Sequence, residues 1–193
     1  MTTVFIDREL KIAIVDSRQT ITTLKSGWIS FLLDNSLGKP LFDKYYDKSW
    51  FQRFVNTHYK KTNKVYAGHR VQTGTEFQLF FAGRVGVAEE LYKELCLSYD
   101  KTEGILKKLK TKHIVFWIKE DEKEWLFSDG KVEKVSSNVA WFIHGSIRGT
   151  LAERSIRKLT SEERTEKTLL QILRYGSLFD KGSDNDYKIW RWW

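Results

Sequence analysis

Two short apolar runs, Thr2 to Ile6 and Leu10 to Val15, stand on either side of the polar break Asp7-Arg8-Glu9. Both runs are rich in β-branched and aromatic residues, which suit a pleated, packed surface. The spacing predicts an antiparallel hairpin ending at Asp16-Ser17-Arg18, and the rest of the chain must cover it. Removal of Met1, which precedes the small residue Thr2, would leave a hydroxyl and a free α-amine on one residue. An α-amine titrates at about 7.7–8.0, so it can take the hydroxyl proton near neutral pH and turn a weak nucleophile into a competent one.

The remaining chain reads as alternating strands and helices. His113 to Ile118 is a nearly continuous apolar run, as expected of a strand covered on both faces. Lys64 to Tyr66 and His69 to Gln72 approach a turn at Thr73-Gly74-Thr75, and Phe77 to Gly83 follows. A charged turn is expected over Lys119 to Glu124, then a hairpin closed by Asp129-Gly130 between Trp125 to Ser128 and Lys131 to Val135. Helical spacing appears at Val87, Ala88, Leu91, Tyr92 and Leu95, and again at Ile105, Leu106 and Leu109. Ala152, Ile156 and Leu159 mark a third helix. Thr160 and Glu163 have capping-box spacing for a fourth, through Leu169, Leu170, Ile172 and Leu173.

Ser26 to Thr62 differs from its surroundings. It is dense in aromatics, holds the only proline, Pro40, and shows helical spacing at Trp28, Phe31 and Leu32 and at Trp50, Phe51, Phe54 and Val55. Between Lys39 and Lys64 seven basic residues face two acidic ones, so this stretch holds most of the net charge of +8. Interleaved aromatic and basic side chains can stack on bases and neutralise phosphates. They can equally form a hydrophobic lid with a solvated rim.

Length sets further bounds. A chain of 193 residues is read as one domain, 1–193, with 26–62 as an insertion. No apolar run is long enough to cross a bilayer, and charges at Asp7, Arg8 and Glu9 interrupt the start before a secretion signal accumulates, so a cytoplasmic protein is expected. Cys96 is the only cysteine and is read as core. His58, His69, His113 and His144 show no metal-ligand spacing, and no cofactor is expected. Lys188-Ile189-Trp190-Arg191-Trp192-Trp193 would be a costly apolar surface unless covered, whether by a subunit interface or an intramolecular groove.

Thr2-Thr3-Val4, the short hairpin and Asp16-Ser17-Arg18 resemble the start of a proteasome β-type subunit or its bacterial relative, the HslV peptidase. Further along, Phe81-Ala82-Gly83 is similar to that family's strand end before a helix, Gly145-Ser146 to its strand-to-helix junction, and Asp180-Lys181-Gly182-Ser183 to its Asp-x-x-Ser loop. The resemblance covers most of the chain outside Ser26 to Thr62. It implies an α+β fold, a four-layer αββα sandwich of two antiparallel sheets flanked by helices. It also implies a threonine peptidase acting on peptides or unfolded proteins, in a homo-oligomeric ring served by an ATPase unfoldase. Carried over, Thr2 is the nucleophile and base and Asp16 partners a lysine. The Gly83 N–H holds the oxyanion, while Ser146, Asp180 and Ser183 surround the amine. Lys64 is the first choice for the lysine, although Arg70 is nearer by counting back from Gly83. Ile147 departs from the pattern, which has a second glycine there. The alternative is a catalytically inactive protein of the same fold whose basic, aromatic insert holds nucleic acid or an acidic partner.

Overall fold

The computed structural model describes residues 3–24, 55–111, 114–128, 130–136, 138–145, 147–179 and 185–192. By its internal contacts the chain divides into two compact units, Met1–Arg18 with Thr62–Trp193, and Gln19–Lys61. The first unit is α+β, with antiparallel sheets and, among the described residues, four helices.

Its first sheet is built on the predicted hairpin. Strands β1 (Thr3–Asp7) and β2 (Ile12–Asp16) pair with Val4 opposite Val15 and Ile6 opposite Ala13. Every residue of both is buried, as the absence of any solvent-facing alternation in Val4-Phe5-Ile6 and Ile12-Ala13-Ile14-Val15 requires. At the tip, Asp7 accepts the Leu10 N–H at 2.9 Å and pairs with Arg164. Burial pushes the Asp7 carboxyl above the usual carboxylate range, against the lowering effects of those two partners.

In the second unit, strands β3 (Arg18–Leu24) and β4 (Val55–Lys61) form a two-stranded sheet. Val55, expected on a helix face, is therefore in a strand. The run Val55-Asn56-Thr57-His58-Tyr59 carries β-branched and aromatic residues, and a short apolar cluster such as Trp50 to Val55 does not distinguish the two periods. Residues 25–54, with the two expected helical pieces and most of the basic cluster, lie outside the described residues.

The second sheet orders as β5 (Val65–His69), β6 (Glu76–Ala82), β7 (Val115–Glu120), β8 (Lys123–Ser128) and β9 (Lys131–Lys134), each pair antiparallel. The turn expected across Lys119 to Glu124 is only Asp121-Glu122. Lys119 and Glu120 stay paired with Glu124 and Lys123, because Asp121 takes φ 51, a left-handed conformation that its short polar side chain tolerates. The first sheet is completed by β10 (Trp141–Gly145) beside β1 and β11 (Tyr187–Arg191) beside β2.

Three cores follow from strand alternation. Val4, Ile6, Ala13 and Val15 of the first sheet pack with Val65, Phe80, Ala82 and Trp117 of the second. On its other face the first sheet, through Phe5, Ile12, Ile14 and Ile143, meets α3 (Leu151–Arg157) and α4 (Glu166–Ser177) at Ala152, Ile156, Leu169 and Leu173. The second sheet's other face, at Leu79, Phe81, Phe116, Ile118 and Phe127, covers α1 (Val85–Leu97) and α2 (Thr102–Lys108) through Ala88, Leu91, Leu95, Ile105 and Leu106. Helices α3 and α4 approach closely at Gly176, where an added Cβ would lie 2.5 Å from the Ala152 Cβ. Ile147, the departure noted in the sequence, is fully buried beside them. Cys96 is half-buried against the α1 core.

The capping box forms but does not open the helix. Glu163 Oε2 accepts the Thr160 N–H at 2.9 Å and the Glu163 N–H reaches Thr160 Oγ1 at 3.3 Å, which closes a turn. Helix α4 begins later, where Thr165 Oγ1 accepts the Thr168 N–H at 3.2 Å. Thr165→Ala is expected to cost about 1 kcal/mol, read as a lower denaturation midpoint, and Thr160→Ala less than that.

Trp192 is 6% exposed and lies against Trp117 and Phe80, with ring centroids 5.1 and 6.4 Å away. The groove for this tryptophan is thus within the chain, and Trp193 lies outside the described residues. Among the described residues no helix is long and apolar enough to cross a membrane.

Candidate active site around Asp16 and Lys64

Thr3 opens β1 fully buried, and its N–H donates to Asp16 Oδ2 at 2.9 Å across the hairpin. The even pairing that sets Val4 opposite Val15 brings the last residue of β2 back to the first of β1. Asp16 is 1% exposed, and a carboxylate so deep in the protein needs compensation. Lys64 supplies it. Its Nζ lies 3.8 Å from Asp16 Oδ1 and donates to the Arg18 carbonyl at 2.6 Å. Lys64 is itself 4% exposed, so the two charges neutralise each other away from water.

Backbone bonds hold this arrangement in place. The Thr62 N–H donates to the Ser17 carbonyl at 2.8 Å, and the Phe81 N–H to the Lys64 carbonyl at 3.2 Å. Lys64 therefore enters β5 directly beside the end of β6, whose Ala82 leads to Gly83. Gly83 has φ 129, a conformation open essentially to glycine alone, so the chain turns there from β6 toward α1.

Arg70 is elsewhere. It stands past the far end of β5, a five-residue strand and so about 20 Å from Lys64 at the strand rise per residue. There it pairs with Glu120 and donates to Thr102 Oγ1 and to the Asp100 carbonyl, tying the β5 end to the α1–α2 connection. Counting back from Gly83 favours Arg70 because the twelve residues between them include a hairpin turn.

Ser17 and Asp186 were not singled out in the sequence. Ser17 Oγ donates to Asp186 Oδ2 at 3.1 Å and the Ser17 N–H to the Asp186 carbonyl at 3.1 Å, fastening the residue after Asp16 to the start of β11. A contact spanning most of the chain leaves no local pattern, and Asp184-Asn185-Asp186 looks like any polar loop. Thr2, Ser146, Asp180 and Ser183 lie outside the described residues. His144 is half-buried with its ring 5.8 Å from that of Phe142, and among the described residues no cluster of His, Cys, Asp or Glu could hold a metal ion.

The Lys64 ammonium, balanced by Asp16, is held beside the end of the strand that begins at Thr3. No protein-family model and no curated protein matches the chain. Among solved structures it is similar to eukaryotic HslV from Trypanosoma brucei, with a TM-score of 0.55 and 16% identity over 98% of both chains. The fold is HslV-like. Also similar are Anbu from Hyphomicrobium sp. strain MC1, at 9% identity, and Anbu from Yersinia bercovieri, at 10%. Each has a TM-score of 0.49 over 91% of this chain and 73% of the other.

Proposed function

We propose that this chain is a threonine-type peptidase acting through Thr2 once processing exposes its amine. The observation that carries the reading is the buried Asp16–Lys64 pair, whose carboxylate accepts the backbone N–H of Thr3, the residue that follows Thr2. A lysine held charged in this position disfavours a second positive charge nearby and keeps the Thr2 amine in its neutral, basic form. The amine then takes the Oγ proton as Oγ attacks a peptide carbonyl. The Gly83 N–H faces the developing oxyanion; the amide nitrogen leaves with the proton, and water deprotonated by the amine hydrolyses the ester. Ser146, Asp180 and Ser183 orient the amine, and the reaction needs no cofactor.

The three cores support a four-layer αββα sandwich, with the segment 26–62 as an insertion in a single domain of 1–193. Assembly into a homo-oligomeric ring, unfolded protein as substrate, an ATPase unfoldase as partner and a cytoplasmic location complete the proposal, all resting on likeness to the HslV family.

Hydrolysis of an unstructured protein such as casein at neutral pH tests the reading. Thr2→Ala is expected to abolish turnover while leaving the circular dichroism spectrum unchanged. A mature Thr2 terminus without turnover, or equal turnover by the variant, would contradict it. Salt-sensitive nucleic-acid binding by an inactive chain that keeps Met1 would support the alternative of a binding protein instead.

A further inference from the structure

The first sheet ends at β10. β10 has a strand on one side only among the described residues, the order being β10-β1-β2-β11. Its hydrogen-bonding phase is fixed by the neighbouring turn, where the Arg8 N–H donates to the Ala140 carbonyl at 2.8 Å in line with the β1–β10 register. In an antiparallel ladder such pairs alternate. Ala140, Phe142 and His144 therefore direct their N–H and C=O groups at β1, whereas Trp141 and Ile143 direct theirs outward.

That outward edge lines a groove of about 380 Å³, walled by residues 138–144 and by Arg148, Glu153 and Arg157. Trp141 and Ile143 turn their side chains to the face that packs on α3, so a strand laid along the edge would face the Arg148 and Arg157 side of the groove with every second residue. Arg157 lies 5.7 Å over the Trp141 ring and pairs with Glu153 at 2.6 Å. Glu153, 5% exposed, also accepts the Gly149 N–H. Among the described lining residues one carboxylate, Glu153, stands against two guanidinium groups, Arg148 and Arg157, so the groove carries a net positive charge.

We infer that β10 is a docking edge for an extended acidic peptide segment, which adds a strand to the sheet through the N–H and C=O groups of Trp141 and Ile143 and sets alternate carboxylates toward Arg148 and Arg157. Main-chain hydrogen bonds give such an addition its affinity and alternate side chains its selectivity. A second copy of this chain is the poorer occupant, because edge-to-edge pairing would bring both copies' arginines to one seam. The inference does not rest on the peptidase reading, and its test needs no turnover.

Fluorescence anisotropy of a labelled Asp-Val-Asp-Val-Asp-Val peptide, titrated with the full chain at 150 mM salt, measures the site directly. Binding is expected, weakened about tenfold by Arg148→Glu, or about 1.4 kcal/mol. It should be lost when alternate peptide amides are N-methylated so that they cannot donate, and absent for the Lys-Val analogue. Equal binding of the N-methylated peptide would show that no strand is added. Arg148→Glu binding as tightly as the wild type, or no binding of the acidic peptide at all, would equally overturn the proposal, as would a β10-mediated dimer that excludes the peptide.

Discussion

Lys64→Met is expected to lower stability by about 3–5 kcal/mol and to abolish peptide hydrolysis. The magnitude follows from what the substitution leaves behind, since Asp16 is 1% exposed and removing one partner strands a buried charge. The Arg18 carbonyl loses its donor as well. Asp16→Asn should cost a similar amount by orphaning the ammonium, while still offering an acceptor to the Thr3 N–H. The double variant Asp16→Asn/Lys64→Met removes both charges, so it should be more stable than the sum of the singles implies, with a coupling of about 2–3 kcal/mol. Urea denaturation of the four proteins reads the cycle. Additive losses would mean that the 3.8 Å pair contributes only packing. Activity separates the roles further, because the double variant should regain stability without regaining hydrolysis.

Trp192→Ala should be as damaging, costing about 3–5 kcal/mol. The ring fills the space between the sheets, against Trp117, itself 1% exposed, and Phe80, while the Trp192 backbone N–H donates to the Lys11 carbonyl at 3.2 Å and holds the chain in place. Truncation leaves a cavity that neither sheet can close, because each is tied by its own ladder. Trp192→Phe should recover about half of the loss by refilling most of the volume. The expected readout is a lower denaturation midpoint that does not depend on protein concentration. A midpoint unchanged by Trp192→Ala, with a shift in oligomeric state instead, would place this side chain at a subunit contact.

Local periodicity made much of this molecule legible. The β1–β2 hairpin, the β8–β9 pairing and the faces of α1 and α4 were readable because alternation and 3.6-residue spacing are properties of a few neighbouring residues. The same locality explains the errors. Thr160 and Glu163 satisfy the capping-box pattern and do bond reciprocally, yet only Thr165 is followed by a continuous helix. Val55 fits either period in a short window. In the candidate site, Asp16 was visible as the end of an apolar run, whereas Lys64 and Arg70 flank the same strand and counting cannot separate them. Folding does, by sending one to Asp16 and the other to Glu120. The Ser17–Asp186 bond depends on β11 returning beside β2, which no stretch of sequence announces.

The claim on which the functional account depends is that Thr2 becomes a terminal nucleophile beside the Asp16–Lys64 pair. Intact-protein mass spectrometry after exposure to a peptide vinyl sulfone, which traps a nucleophilic hydroxyl by conjugate addition, measures this most directly. The account predicts a mature mass beginning at Thr2 and one adduct, mapped to Thr2 and absent from Lys64→Met. A chain that keeps Met1 and takes up no adduct, or an adduct formed equally well without Lys64, would contradict it.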